Sequence, residues 1–178
     1  MEHSVNHLIT IFNQLFQNTY HTCLVRGSSE PIYLPKSSER VYNEIHFAHG
    51  FFSSALHEIA HWCVAGKERR KLEDFGYWYE PDGRTVAKQK EFEQVEIKPQ
   101  ALEWSFSVAA NHSFRVSVDN LSTGYNDTES FKQNVYTQVC KYLENGYPKR
   151  ASMFIHMLLN TFGNSRPLTK EMFDPSSI

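Results

Sequence analysis

The chain has 178 residues, which is enough to bury a hydrophobic core and short enough for one domain. Hydrophobic residues make up 40% of it and aromatic residues 14%, so the composition excludes an intrinsically disordered protein. The formal net charge of -2 gives no global reason to expect nucleic-acid binding.

Targeting and redox signals both favour the cytoplasm. The first residues show no basic region followed by an apolar stretch, and the sequence has no apolar run long enough for a membrane span. Cys23, Cys63 and Cys140 are odd in number, widely spaced, and form no Cys-x-x-Cys pair. We therefore expect reduced cysteines in or beside helices, in a cytoplasmic protein that does not contact membranes.

The N-terminal quarter predicts one helix and one strand. Apolar residues recur at three- and four-residue steps from Val5 to Phe16, which is typical of an amphipathic helix, with Ser4 as its N-cap. Residues 26–38 are rich in turn formers and predict a long loop, within which 32–34 form a short extended piece. Val41 to Phe47 predict a strand that leads into the next helix.

That helix, predicted from about Phe51 to Ala65, carries His-Glu-x-x-His. Residues four apart lie on one helix face, so His57 and His61 can offer two imidazole nitrogens to one cation. Glu58 lies just off that face and is the candidate catalytic base or proton relay. The alternative is that two core or surface histidines stack on one face without binding a metal.

Residues on either side of the motif suggest supporting roles. Ser53 is small enough to leave room for an ion and a substrate, and His49 is expected to orient or shield the site rather than bind metal. Residues 67–71 contain four basic side chains. They are either a solvated helix end or the docking site of an acidic partner beside the metal, and in the second case Arg69 and Arg70 are the candidate contacts.

An aromatic run follows, with Tyr77, Trp78 and Tyr79 just before an Asp-Gly turn signal. These three side chains either belong to the core or form the walls of a cleft that takes a long aliphatic ammonium substrate. The sequence leaves both interpretations open.

Two helices are predicted over the next stretch. Residues 86–96 form a polar helix with one apolar edge, Lys98-Pro99 is expected to break it, and residues 100–110 form a second, buried helix. Glu103 is the single ionisable group in that second helix, and a carboxylate is not buried alone. It is therefore the candidate third metal ligand, with pairing to an arginine or to backbone as the alternative.

Three other carboxylates are less favoured as ligands. Glu91, Glu93 and Glu96 lie in the more polar stretch, where solvation explains them.

Further along the chain, the residues from Phe114 to Val118 alternate between apolar and polar and predict a strand, while residues 120–127 are rich in turn formers. Residues 131–143 predict an amphipathic helix, Pro148 opens the last helix, and the segment from about 164 is expected to be a tail.

Two histidines and one carboxylate leave open coordination positions, which fits two chemistries. Zinc would activate water for amide hydrolysis with Glu58 as general base, and this is the first expectation from the motif alone. Iron(II) would activate dioxygen. A third alternative is a binding module whose metal is structural and has four protein ligands.

The wider sequence resembles the bacterial elongation factor P hydroxylase family. The resemblance lies in residues 54–62 around the metal motif, 65–66, 74–79, 81–84 and 95–104, and it covers about residues 45–112. It implies a small α+β fold, one domain over 1–178, in which about five helices pack on a short mixed sheet and the metal site lies on a central HExxH helix.

The resemblance also implies the activity. The family is expected to hydroxylate the β-lysylated lysine of elongation factor P with a non-haem metal, most simply iron(II), although zinc or another divalent metal also suits the ligands. His57 and His61 match the family motif, and Glu103 lies in a matching block. Glu58 would tune a ligand or relay protons, and Tyr77, Trp78 and Tyr79 would flank the modified side chain. The expected partner is elongation factor P, with no nucleic acid.

Overall fold

Five α-helices and a three-stranded sheet make up the fold in the computed structural model, which describes residues 4–75, 85–118, 128–163 and 165–178. The helices are α1 Val5–Tyr20, α2 Phe52–Val64, α3 Val86–Ala109, α4 Thr128–Asn145 and α5 Lys149–Thr161. The strands are β1 Thr22–Arg26, β2 Ile32–Leu34 and β3 Asn43–Phe47. The predicted α+β class is confirmed.

The sheet is mixed, with strand order β1-β3-β2. β3 is central and runs parallel to β1, where Leu24 lies opposite Ile45, and antiparallel to β2, where Tyr33 lies opposite Ile45. The predicted strand over 41–47 is confirmed, whereas β1 was not predicted. Because only four residues separate the end of β3 from the start of α2, the sheet fixes the position at which the motif helix starts.

Aromatic packing holds the motif helix at the centre of the core. The ring of Trp62 on α2 lies 5.6 Å from Phe12 and 4.9 Å from Phe16, both on α1. Phe154 of α5 joins the cluster, 5.9 Å from Phe12. Since this face of α2 is buried against α1 and α5, its histidine face is turned towards α3.

α3 is one continuous helix through Pro99, so the predicted break at Lys98-Pro99 is wrong. Proline lacks the N–H that would donate to the carbonyl of Val95, a loss of about 3 kcal/mol inside a helix. The second half of the helix is buried on all sides, and full burial of two side chains such as Leu102 and Phe106 contributes about 3 to 6 kcal/mol. Packing therefore offsets the local preference for a break.

Residues 114–118 do not form the predicted strand, because side chains of α3 take up their backbone groups. The amide of Gln100 donates to the carbonyl of Ser117 at 2.7 Å and accepts from the Ser117 N–H at 3.0 Å. Gln89 donates to the carbonyl of Val118 at 3.0 Å. The segment has the alternating sequence pattern of a strand, but its backbone groups bond to glutamine side chains instead of to a neighbouring strand.

The segment after residue 164, predicted as a tail, packs onto the core. Phe173 is 4% exposed and Ile178 is 8% exposed, and the ring of Phe173 lies 5.2 Å from that of Trp104. The predicted helix after Pro148 is confirmed as α5.

The cysteines and the helices can be compared with the expectations of reduced thiols and of no membrane span. All three cysteines are free, although Cys23 lies in β1 rather than beside a helix, and burial raises the pKa of the Cys63 thiol to about 12. No helix in the described segments is long and apolar enough to cross a bilayer.

Candidate metal centre

Three side chains from two helices converge on one point between α2 and α3. Nε2 of His57 and Nε2 of His61 lie 3.0 Å apart. From α3, Oε1 of Glu96 lies 3.2 Å from Nε2 of His61, and Oε2 lies 3.9 Å from Nε2 of His57. One ligand atom from each residue lies within 4.8 Å of the others, so they form a candidate metal-binding group.

The spacing of these donors fits a single cation. Two nitrogens bound to one ion at about 2.1 Å lie about 3.0 to 3.4 Å apart for bond angles between square and tetrahedral. The separations of 3.0 Å between the two Nε2 atoms and 3.2 Å from His61 to Glu96 fall in that range, and the separation of 3.9 Å from His57 to Glu96 lies above it. Among the described residues the group has three members rather than the four of a closed structural site, which leaves positions for exogenous ligands.

Glu103 lies on the other side of the His57 ring. Its Oε2 lies 2.7 Å from Nδ1 of His57 and accepts the proton of that nitrogen. A proton on Nδ1 leaves the lone pair on Nε2, which faces His61 and Glu96. The residue predicted as third ligand is therefore placed where it orients a ligand, and Glu96, passed over as solvated, is only 4% exposed and next to both Nε2 atoms.

Glu96 is itself held in place by a buried amide. Gln100, one turn along α3 and 1% exposed, donates from Nε2 to Oε2 of Glu96 at 3.2 Å. The same amide is fixed by both backbone groups of Ser117. The irregular segment over 114–118 thus supports the metal-binding group through Gln100.

Replacing Gln100 with methionine should weaken metal binding by roughly 10- to 100-fold, as is usual when a group that orients a ligand is lost. The variant keeps the side chain's length but removes the bond to Glu96. Competitive titration with a chromophoric chelator measures the affinity, and thermal unfolding confirms that the variant is folded. Gln133→Met, at an exposed position of α4, is the matched control. Unchanged affinity in the folded variant would contradict this role.

The electrostatics of the cluster favour positive charge. Burial alone would lower the pKa of His57, but the carboxylates of Glu103 and Glu96 raise it to about 10. Burial would raise the pKa of Glu96, but His61, His57 and the bond from Gln100 lower it to about 2. The surroundings of His57 and His61 therefore favour a positive charge, which a proton or a divalent metal supplies.

A cavity of about 420 Å³ opens beside His61. The half-buried Glu58 lines it and, within the described part of the chain, makes no hydrogen bond to His57 or His61. Burial raises the pKa of the Glu58 carboxyl, His57 and His61 lower it, and Glu96 and Glu103 raise it further.

The other described residues that were predicted for the site do not join the metal-binding group. Arg69 and Arg70 line the cavity, but Arg69 is paired with Asp74 and Arg70 donates to the carbonyl of Ala65. His49 and Ser53 are exposed near the start of α2 and make no hydrogen bond to the described metal-binding group. Tyr77, Trp78 and Tyr79 lie outside the described residues.

Two histidines of an HExxH helix and a buried glutamate of a second helix define a protein with a candidate mononuclear metal centre. The family model described as elongation factor P hydroxylase matches residues 11–173. The elongation factor P lysine hydroxylase of Haemophilus influenzae is 54% identical over 178 residues, covering 100% of both chains. The chain belongs to the elongation factor P hydroxylase family, which confirms the resemblance found in the sequence.

Proposed function

We propose that this protein hydroxylates the β-lysylated lysine side chain of elongation factor P in the cytoplasm, with an iron(II) ion bound by His57, His61 and Glu96. The observation that carries the metal site is the convergence of these three side chains. The name of the Haemophilus relative, identical at 54% of positions, supports the substrate protein and the lysine hydroxylase activity.

The residues around the metal have separate tasks in this proposal. His57, His61 and Glu96 hold the ion, while Glu103 keeps the Nδ1 proton of His57 and so directs its Nε2 lone pair inwards. Iron(II) held on one face by two histidines and a carboxylate supplies the chemistry of dioxygen activation. We assign Arg69 and Arg70 to the cavity wall, since both are already bonded within the protein.

The overall reaction determines which co-reactants the protein needs. Dioxygen converts one C–H bond to C–OH, and its second oxygen atom leaves as water after taking up two electrons and two protons. A reductant must therefore accompany the substrate. The cavity of about 420 Å³ beside His61 is within the usual range for small-ligand pockets, and we propose that it receives the modified side chain.

The test is oxygen incorporation into β-lysylated elongation factor P. The iron-loaded protein should add about 16 Da, one oxygen atom, to the substrate, and the zinc-loaded protein should add nothing. His57→Ala should lose the activity, because it removes a metal ligand. His156→Ala, at an exposed position of α5, is the control and should keep it. Full oxygen addition by His57→Ala, or activity only with zinc, would refute the proposal.

A further inference from the structure

Glu58 differs from the other carboxylates around the site. Glu103 is bonded to His57, Glu96 lies within 3.2 Å of His61, and Asp74 is paired with Arg69. Glu58 lines the cavity half-buried and has no hydrogen bond or ion pair in the described structure. The nearest positive charges to Glu58 are those of His57 and His61, and neither is hydrogen-bonded to it, so its oxygens remain able to accept from a cationic ligand in the cavity.

A second acceptor lines the same cavity on the α3 side. Pro99 has no N–H, so the carbonyl of Val95 lacks its usual helical donor, and both residues line the cavity. The wall formed by α2 and α3 thus includes the Glu58 carboxylate and a residue whose carbonyl lacks its helical donor. Such a pair suits a ligand rich in N–H donors.

The cations of the cavity do not occupy this position. Arg69 is neutralised by Asp74. Arg70 is bonded to the carbonyl of Ala65, which is seven residues and therefore about two helical turns, roughly 10 Å, beyond Glu58 along α2. Lys98 also lines the cavity, but it is exposed and makes no ion pair with Glu58 among the described residues.

We infer that Glu58 binds the ammonium end of the substrate side chain, with the carbonyl of Val95 as a second acceptor, and so selects a cationic side chain. The inference rests on the proposed function for the identity of that side chain. Glu58 adjoins His57 in sequence and lies about one turn from His61, so an ammonium held there lies beside the metal-binding group.

Binding without turnover tests this directly. The metal-loaded protein under argon is titrated with n-hexylammonium and with the neutral 1-hexanol, followed by calorimetry. The wild type should prefer the ammonium, and Glu58→Gln should weaken ammonium binding by roughly 10- to 100-fold, the value of a charge-assisted hydrogen bond, while leaving hexanol unaffected. Glu144→Gln, at an exposed position of α4, should behave as the wild type.

Kinetics separate binding from proton transfer. In hydroxylation of β-lysylated elongation factor P, Glu58→Gln should raise KM strongly and change kcat little, with unchanged metal content. A fall in kcat at constant KM, or a wild type that does not prefer the ammonium, would overturn the inference. Ammonium binding through Glu58 in a protein that does not hydroxylate elongation factor P would refute the proposed function and leave the inference standing.

Discussion

Glu96→Gln should strip the protein of its metal and of its hydroxylase activity, whereas Glu103→Gln should weaken metal binding by only about 10- to 100-fold. Both changes keep the side chain's size and remove one negative charge from the same helix. They differ in position, because Glu96 lies beside both Nε2 atoms and Glu103 beside Nδ1 of His57. The amide introduced by Glu103→Gln can still accept the Nδ1 proton, so His57 stays oriented.

Metal content by elemental analysis and affinity by chelator competition measure the two effects. Glu91→Gln, at an exposed position of α3, controls for the loss of charge on this helix. Removing the Glu96 carboxylate takes away the acidic group beside His61, so thermal unfolding must confirm that the variant is folded. The reverse order, with Glu103→Gln the more damaging, would identify Glu103 as the third ligand.

Arg150→Met should destabilise the protein by about 2 to 4 kcal/mol, which corresponds to a fall in Tm of roughly 5 to 15 °C for a chain of this size. Nη2 of Arg150 donates to three carbonyls at the end of α2, those of Trp62 at 2.8 Å, Cys63 at 3.2 Å and Ala65 at 2.8 Å. Helix ends leave such carbonyls without internal partners, and a cation also suits the negative end of the helix dipole.

The measurement is thermal and denaturant unfolding of the metal-free protein, which keeps ligand binding out of the comparison. Lys149→Met removes the neighbouring positive charge at an exposed position and should change Tm little. Arg150 also stacks over the ring of Trp62, with its guanidinium carbon 4.7 Å from the ring centroid, and methionine keeps part of that packing. Equal Tm values for the two variants would show that the carbonyl contacts contribute little.

The motif helix was predictable because its evidence is local. Two histidines four residues apart share a face in any α-helix, and the apolar residues on the remaining faces require burial. The strand before it and the last helix also carried strong local patterns. These elements fix His57 and His61 without reference to the rest of the chain.

Glu96 was passed over as a candidate ligand because its neighbours in sequence are polar and solvation explained it, and the expected break at Pro99 hid its relation to Glu103. With a break, residues 96 and 103 belong to different helices and have no defined relation. In one continuous helix they are seven residues apart and share a face, and Gln89 and Gln100 fall on the same stripe. These four polar side chains are all buried, and their common spacing was the missed signal.

The remaining errors have a different cause, namely contacts between residues distant in sequence. Thr22–Arg26 becomes a strand because it pairs with β3, and 114–118 fails to become one because Gln89 and Gln100 satisfy its backbone. An alternating pattern indicates which face of a segment is buried. Which groups its backbone N–H and C=O bond to depends on residues that are distant in sequence.

The placement of the candidate donors on two separate helices would give a bound ion a mechanical effect as well. His57 and Glu96 are joined by a connection of about 40 residues, and a cation that ties them together closes this stretch into a ring, much as a cross-link does. Chelators should therefore loosen the junction of α2 with α3 and speed its cleavage by proteases, the more so the lower the concentration of free metal.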